Sequence, residues 1–253
     1  PPPGRPGSPR GCRVVRAALV DPGQVGDTLA MQIAFLLFPG IAQLDLTGPA
    51  QFLSRLPNTK VDLVWETTDP VPTDAGFAIL PTATFADIDY ADVLCVPGGM
   101  GIAQVIGHHA ALDWVQRIGA SVTWVTSVCT GALILGAAGL LKGYRATTHW
   151  AWHDMLSLFV GERVSARTVF DRNRVTGGGV TAGIDSSLAL MARIAGEDHA
   201  RAVQLALEYD SAPPFDSGSP DKAGAGLVGV YSARVERLAP GRKEALTASA
   251  RRL

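Results

Sequence analysis

Cys129 stands where a β-rich run meets a small-residue helix, in VTWVTSVCTGALILGAAGLL. A side chain at so sharp a strand-to-helix turn is held at the carboxyl edge of a sheet, and Gly131 permits the close backbone approach the turn needs. The helix that follows aims free amides at the sulfur, which predicts a depressed thiol pKa and a nucleophilic thiolate. Asp45, in QLDLTGP, follows an earlier strand signal and lies between Leu44 and Leu46. Partial desolvation there would raise its pKa toward neutrality, which suits a carboxyl that gives a proton to a substrate and later takes one from water. A thiol nucleophile with such an acid/base partner does covalent addition or hydrolysis chemistry.

Each residue also has a structural reading. A lone cysteine is often a small buried hydrophobe, and an Asp before a helix is often its cap, so the residues alone leave both assignments open. Thr47, nearer Pro49, is the better cap of the first helix, and this places Asp45 at the end of the strand. Thr130 cannot serve as a base, although its hydroxyl can reach Asp45 or a reacting water. In VPGGMG, Gly98 and Gly99 either present backbone amides to a developing charge or simply make the turn.

Other candidates are weaker. Cys95 lies mid-strand in DVLCVPGG, where packing and a raised pKa are expected. TGGGVTAG has neither the Lys-Ser/Thr of a Walker loop nor GxGxxG spacing, so phosphate binding is not expected. His149 and His153 are spaced i, i+4 in HWAWH but lack an acidic or cysteine ligand at metal-binding spacing, and no metal site is expected.

Short apolar runs at 33–38 (IAFLLF), 61–65 (VDLVW), 92–97 (DVLCVP) and 122–128 (VTWVTSV) have strand length and enough hydrophobicity to be covered on both faces. Between them LTGPAQFLSRL, AALDWVQRIGA and TGALILGAAGLL suit crossover helices, so the alternation predicts a mostly parallel α/β sheet. Residues 163–176 predict a hairpin turning at Asp171–Asn173, and IDSSLALMARIAG and HARAVQLALEY predict two later helices. The Pro-, Gly- and Arg-rich residues 1–30 read as an extension outside the fold, residues 31–212 as the α/β domain, and residues 213–253 as a loop and helical tail.

The chain has 253 residues, 47% hydrophobic and 18% charged, with a formal charge of −1 from 22 basic and 23 acidic side chains. No positive field exists to hold nucleic acid or an anionic membrane, and no apolar run approaches the ~20 residues of a membrane span. Three unpatterned cysteines argue against a disulfide framework and for a reducing cytoplasm.

Taken together, QLDLTGP, VPGGMG, TSVCTGALILGAAGLL, RATTHWAWH and TGGGVTAGID resemble the ThiJ/PfpI-like (class I glutamine amidotransferase-like) superfamily, and within it the isonitrile hydratase branch. The resemblance runs from about Met31 to residues 219–221. It implies a flavodoxin-like, Rossmann-like three-layer sandwich with a nucleophile elbow, and a homodimer. It implies hydration of a small isocyanide to an N-substituted formamide without metal or organic cofactor. Carried over with it are Cys129 as nucleophile, Asp45 as acid/base and Thr130 as the hydroxyl where many relatives have histidine. Two alternatives stand beside it. One is a cysteine hydrolase or glyoxalase-like enzyme. The other is the ligand-sensing domain of a transcription regulator, for which few residues remain after Tyr209.

Overall fold

The computed structural model describes residues 31–252; the extension expected over residues 1–30, with Cys12, lies outside the described residues. The chain forms β1 (Met31–Leu36), α1 (Gln43–Leu53), β2 (Thr59–Trp65), β3 (Val71–Pro72), β4 (Ala78–Ile79), β5 (Ala83–Thr84) and β6 (Val93–Val96). It continues through α2 (Ile102–Gly107), α3 (His109–Ser121), β7 (Trp124–Val128), α4 (Gly131–Ala137), β8 (Arg145–Ala146), a 3-10 turn (Trp150–Trp152), α5 (His153–Leu156) and β9 (Glu162–Arg163). The last elements are β10 (Thr168–Asp171), β11 (Arg174–Gly177), α6 (Ala182–Ala195), α7 (Glu197–Ala206), α8 (Pro220–Leu238) and α9 (Arg242–Ala250).

Seven strands make the central sheet in the order β10-β11-β7-β6-β1-β2-β5. All neighbours are parallel except the β10–β11 hairpin. That hairpin turns at Arg172 and Asn173, within the expected segment, with Arg172 in the left-handed region at φ 51°. The apolar runs became the inner strands because helices cover both faces: Ile33, Phe35, Leu36, Val93, Leu94 and Val125 are all fully buried. From β1 the chain moves outward to β2 and then returns to lay β6 and β7 on the other side. The order therefore reverses at β1/β6, and an open α/β sheet places its ligand crevice at the carboxyl ends of the strands flanking such a reversal.

One helix boundary differs from the sequence-based expectation. α1 begins at Gln43, not at Thr47, and Asp45 belongs to its first turn instead of the end of β1. The donor that needs a cap is met from afar, by Asp74 Oδ1 accepting from the Gln43 N–H at 3.0 Å. Thr47 is thus inside the helix, donating to Gln43 Oε1, and Pro49 lies mid-helix and packs toward Gly183 of α6. A Cβ on Gly183 would stand 3.0 Å from both Pro49 and Val128, so its bare backbone sets how closely α1, α6 and β7 meet.

The tail contributes to the same core: Val235 of α8 and Leu246 of α9 are buried in it. None of the described helices is long and apolar enough to cross a membrane.

Candidate active site

Three loops at the carboxyl edge of the sheet converge. β7 ends at Val128 and the chain turns at once, with Cys129 at φ 55°, into α4. A positive φ in a residue with a side chain is strained and survives only where the surroundings over-determine it. Here the Cys129 N–H donates to Gly177 O at 3.1 Å and its carbonyl accepts from Thr148 Oγ1 at 2.7 Å, so the elbow is clamped from both sides. A Cβ at Gly131 would collide with the Val96 carbonyl, which explains why the residue two beyond Cys129 is glycine.

From the other side, α1 delivers Asp45, which is fully buried. Its Oδ2 accepts from the Gly98 N–H at 3.0 Å, while Oδ1 is buried without a hydrogen-bond partner. The Cys129 thiol lies close enough for each group to shift the other's titration, although no well-directed hydrogen bond joins them. Thr130 completes the cluster: its Oγ1 accepts from the Gly99 N–H at 3.0 Å and faces the Gly99 carbonyl at 3.2 Å. A Cβ on Gly98 would stand 2.5 Å from Thr130 N, 2.6 Å from Thr130 Oγ1 and 2.9 Å from Asp45 Oδ2. The VPGGMG turn is therefore wedged between the two side chains, and Gly98 is the residue whose missing side chain lets them approach. Both of its amides, Gly98 and Gly99, are engaged by protein side chains, so in this arrangement they position Asp45 and Thr130.

Burial raises the Asp45 pKa to about 7, against the lowering effect of the Gly98 amide. The expected depression of Cys129 does not hold. Burial, followed by the adjacent Asp45 charge, pushes its thiol well above the ordinary value despite the Thr130 N–H and hydroxyl that favour the thiolate. The helix-end effect that motivated the expectation is outweighed because Cys129 is buried, at 7% residue exposure, beside a carboxylate. Each group shifts the other, so they titrate as a pair.

Cys95 is buried in β6, with burial raising its thiol to about 12, as its mid-strand position predicts. The two histidines are separately engaged: His149 Nδ1 accepts from the Ala151 N–H at 3.2 Å, and His153 Nε2 meets the Val164 carbonyl at 3.0 Å. Burial lowers His149 to about 4, so its ring is neutral at pH 7. The Gly177–Gly179 run supports the elbow through the Gly177 carbonyl. One contributor escaped the sequence analysis, Thr148, which had only the TTH context as a signal.

The DJ-1/PfpI family model matches residues 31–193, which include every element that builds the Cys129 elbow. The chain belongs to the DJ-1/PfpI family. Among DJ-1/PfpI relatives it is 52% identical over 200 residues to an isonitrile hydratase from Pseudomonas putida, covering 79% of this chain and 88% of that one. It superposes on the crystal structure of a ThiJ/PfpI family protein from Pseudomonas syringae with a TM-score of 0.83 and 39% identity, covering 93% and 98% of the two chains. It is also 26% identical to the HTH-type transcriptional regulator CdhR of Pseudomonas aeruginosa, over 69% of this chain but 53% of the regulator. The expected flavodoxin-like three-layer α/β sandwich is thus the fold of this DJ-1/PfpI chain.

Proposed function

We propose that the protein is an isonitrile hydratase, a hydro-lyase that converts R–N≡C and water to the formamide R–NH–CHO. The observation that carries this reading is the buried Cys129–Asp45 pair with a hydroxyl, Thr130, where a base would otherwise stand. The similarity to the Pseudomonas putida isonitrile hydratase supports it.

With the pair holding one proton, Asp45 takes the thiol proton and delivers it to the isonitrile carbon as the sulfur attacks that carbon. One S–C bond and one C–H bond form, giving the thioimidate R–N=CH–S–Cys129. The partnerless Oδ1 is the oxygen free to carry this proton, since Oδ2 is held by Gly98. Water then adds to the carbon; Asp45 accepts one of its protons and passes it to the nitrogen. Collapse of R–NH–CH(OH)–S–Cys129 breaks the C–S bond, the hydroxyl proton returns to the pair, and formamide leaves. Gly98, Gly99 and Thr130 keep the carboxyl and sulfur facing one another through both steps.

The hydratase reading is favoured over the sensing alternative because the chain is 52% identical to the isonitrile hydratase but 26% identical to the regulator. The hydrolase alternative lacks an adjacent histidine base: Thr130 follows the cysteine, and His149 Nδ1 accepts from the Ala151 N–H. Residues 31–212 are proposed as the catalytic domain, acting as a homodimer in the cytoplasm. The thiols of Cys95 and Cys129, both unpaired, fit a reducing compartment. Incubating the purified protein with a small alkyl isonitrile and following the formyl proton by NMR tests the reading. Steady formamide production supports it, and no turnover of any alkyl isonitrile overturns it.

A further inference from the structure

The segment matched by the family model ends at Arg193, and α8 lies beyond it. This helix buries only Val235 fully, and it leaves Leu227 and Val230 largely exposed. Between α8 and the 3-10 turn runs a cavity of about 320 Å³, lined on its apolar sides by Trp150, Pro220, Leu227 and Tyr231, with Ser219 and Arg234 among its polar lining residues. Its size falls at the lower end of small-molecule pockets.

The Tyr231 ring links this groove to the nucleophile. It lies 5.2 Å from the Trp150 ring and 5.7 Å from the His149 ring, at interplanar angles of 43° and 30°. His149 follows Thr148, whose hydroxyl holds the Cys129 carbonyl at 2.7 Å. Burial raises the Tyr231 phenol's pKa, and the Cys129 charge adds to it. Through these ring contacts the groove adjoins His149, the residue next to the Thr148 that clamps the elbow.

We propose that α8 supplies the substrate-selecting wall of this enzyme: the hydrocarbon substituent of the isonitrile lodges in the groove against the packed Trp150 and Tyr231 rings, and Tyr231 with Leu227 sets its permitted bulk. The proposal rests on Cys129 being the reacting centre. An isonitrile suits such a groove because its reactive end is a linear two-atom group and the rest is an apolar substituent. That substituent gains from leaving water wherever the wall is complementary. Two residues of the wall, Tyr231 and Leu227, come from the segment outside the shared family match. Relatives with the same elbow can thus differ in the substituent they accept.

The test compares wild type with Tyr231→Ala, Tyr231→Phe, Leu227→Trp and, as a control elsewhere on the helix, Leu238→Ala. Two ratios are read: kcat/KM for cyclohexyl against methyl isonitrile, and the rate of Cys129 alkylation by N-cyclohexyl- against N-methylmaleimide, followed by intact mass. Tyr231→Ala and Leu227→Trp should each lower both ratios by about tenfold, the scale on which an apolar pocket discriminates. Tyr231→Phe keeps the ring and should retain the selectivity that Tyr231→Ala loses, and Leu238→Ala should match wild type. Ratios within twofold of wild type for both variants would overturn the proposal. So would a changed solution mass without a changed ratio, which would make the face a contact with a second copy. If no isonitrile is turned over, the hydratase reading fails by itself, and the maleimide ratio still decides whether α8 walls the site.

Discussion

The backbone N–H of Gly98 holds Oδ2 of Asp45 at 3.0 Å, and the other carboxyl oxygen is left buried with no partner. A polar atom buried in that condition costs free energy, on the order of 1–3 kcal/mol, and such atoms persist where they have a task. Next to a cysteine held at positive φ, the task we propose for it is proton transfer.

Replacing Asp45 with Asn preserves the shape and the Gly98 contact but removes the shuttle. Turnover of an alkyl isonitrile should fall at least ~100-fold, within the range contributed by a positioned acid/base group. Steady-state kinetics on the folded variant check this, and a loss of less than about threefold would exclude the role.

The pH profile follows from the shared proton. Below the Asp45 pKa of about 7 the pair gains a second proton, leaving neither a carboxylate to take the thiol proton nor a thiolate to attack. On this basis kcat/KM should fall toward acid with an apparent pKa near 7 and should not fall again until well into the alkaline range, because the thiol is raised as well. A profile flat from pH 5 to 8 would contradict the coupling.

Stability should run the opposite way. The folded-state pKa of Asp45 lies above its ordinary value of 3.8, so between about pH 4 and 7 the folded protein binds more protons than the unfolded chain, and stability is lost as pH rises through that window. Asp45→Asn removes the loss. It should therefore raise Tm by several degrees at pH 8.5 but by much less at pH 5, corresponding to a few kcal/mol. Thermal unfolding at the two pH values measures the difference, and equal shifts would mean that the buried carboxyl carries no such cost.

Gly98→Ala places a methyl against Thr130 and Asp45 at 2.5–2.9 Å. The turn must move, so activity should drop at least ~100-fold while the fold loses about 1–3 kcal/mol, the usual range for overpacking. Kinetics with denaturant unfolding separate the two effects. Unchanged activity would show that the wedge between the two loops is not needed.

The chemistry-bearing junctions were legible because they are local. The change from β-rich to small-residue sequence at Cys129 and the QLDLTGP segment mark the elbow and the carboxyl, and the alternating apolar runs give the parallel sheet. What the sequence did not reveal depends on distant partners. α1 starts at Gln43 because Asp74, 31 residues away, caps it. The Cys129 thiol is raised because folding seals it against Asp45, an effect of burial that outweighs the local helix end. Tyr231 packs against His149 and Trp150 from a tail whose composition shows no sign of it.

The sulfur of Cys129 can be tested alone. Wild type and Cys129→Ala, matched for fold by circular dichroism and Tm, are given the same alkyl isonitrile, and formamide is followed over time. Formation by the wild type with loss to the uncatalysed background in the alanine variant is the predicted result. Formamide released by Cys129→Ala at a rate comparable to wild type would contradict a covalent role for this cysteine.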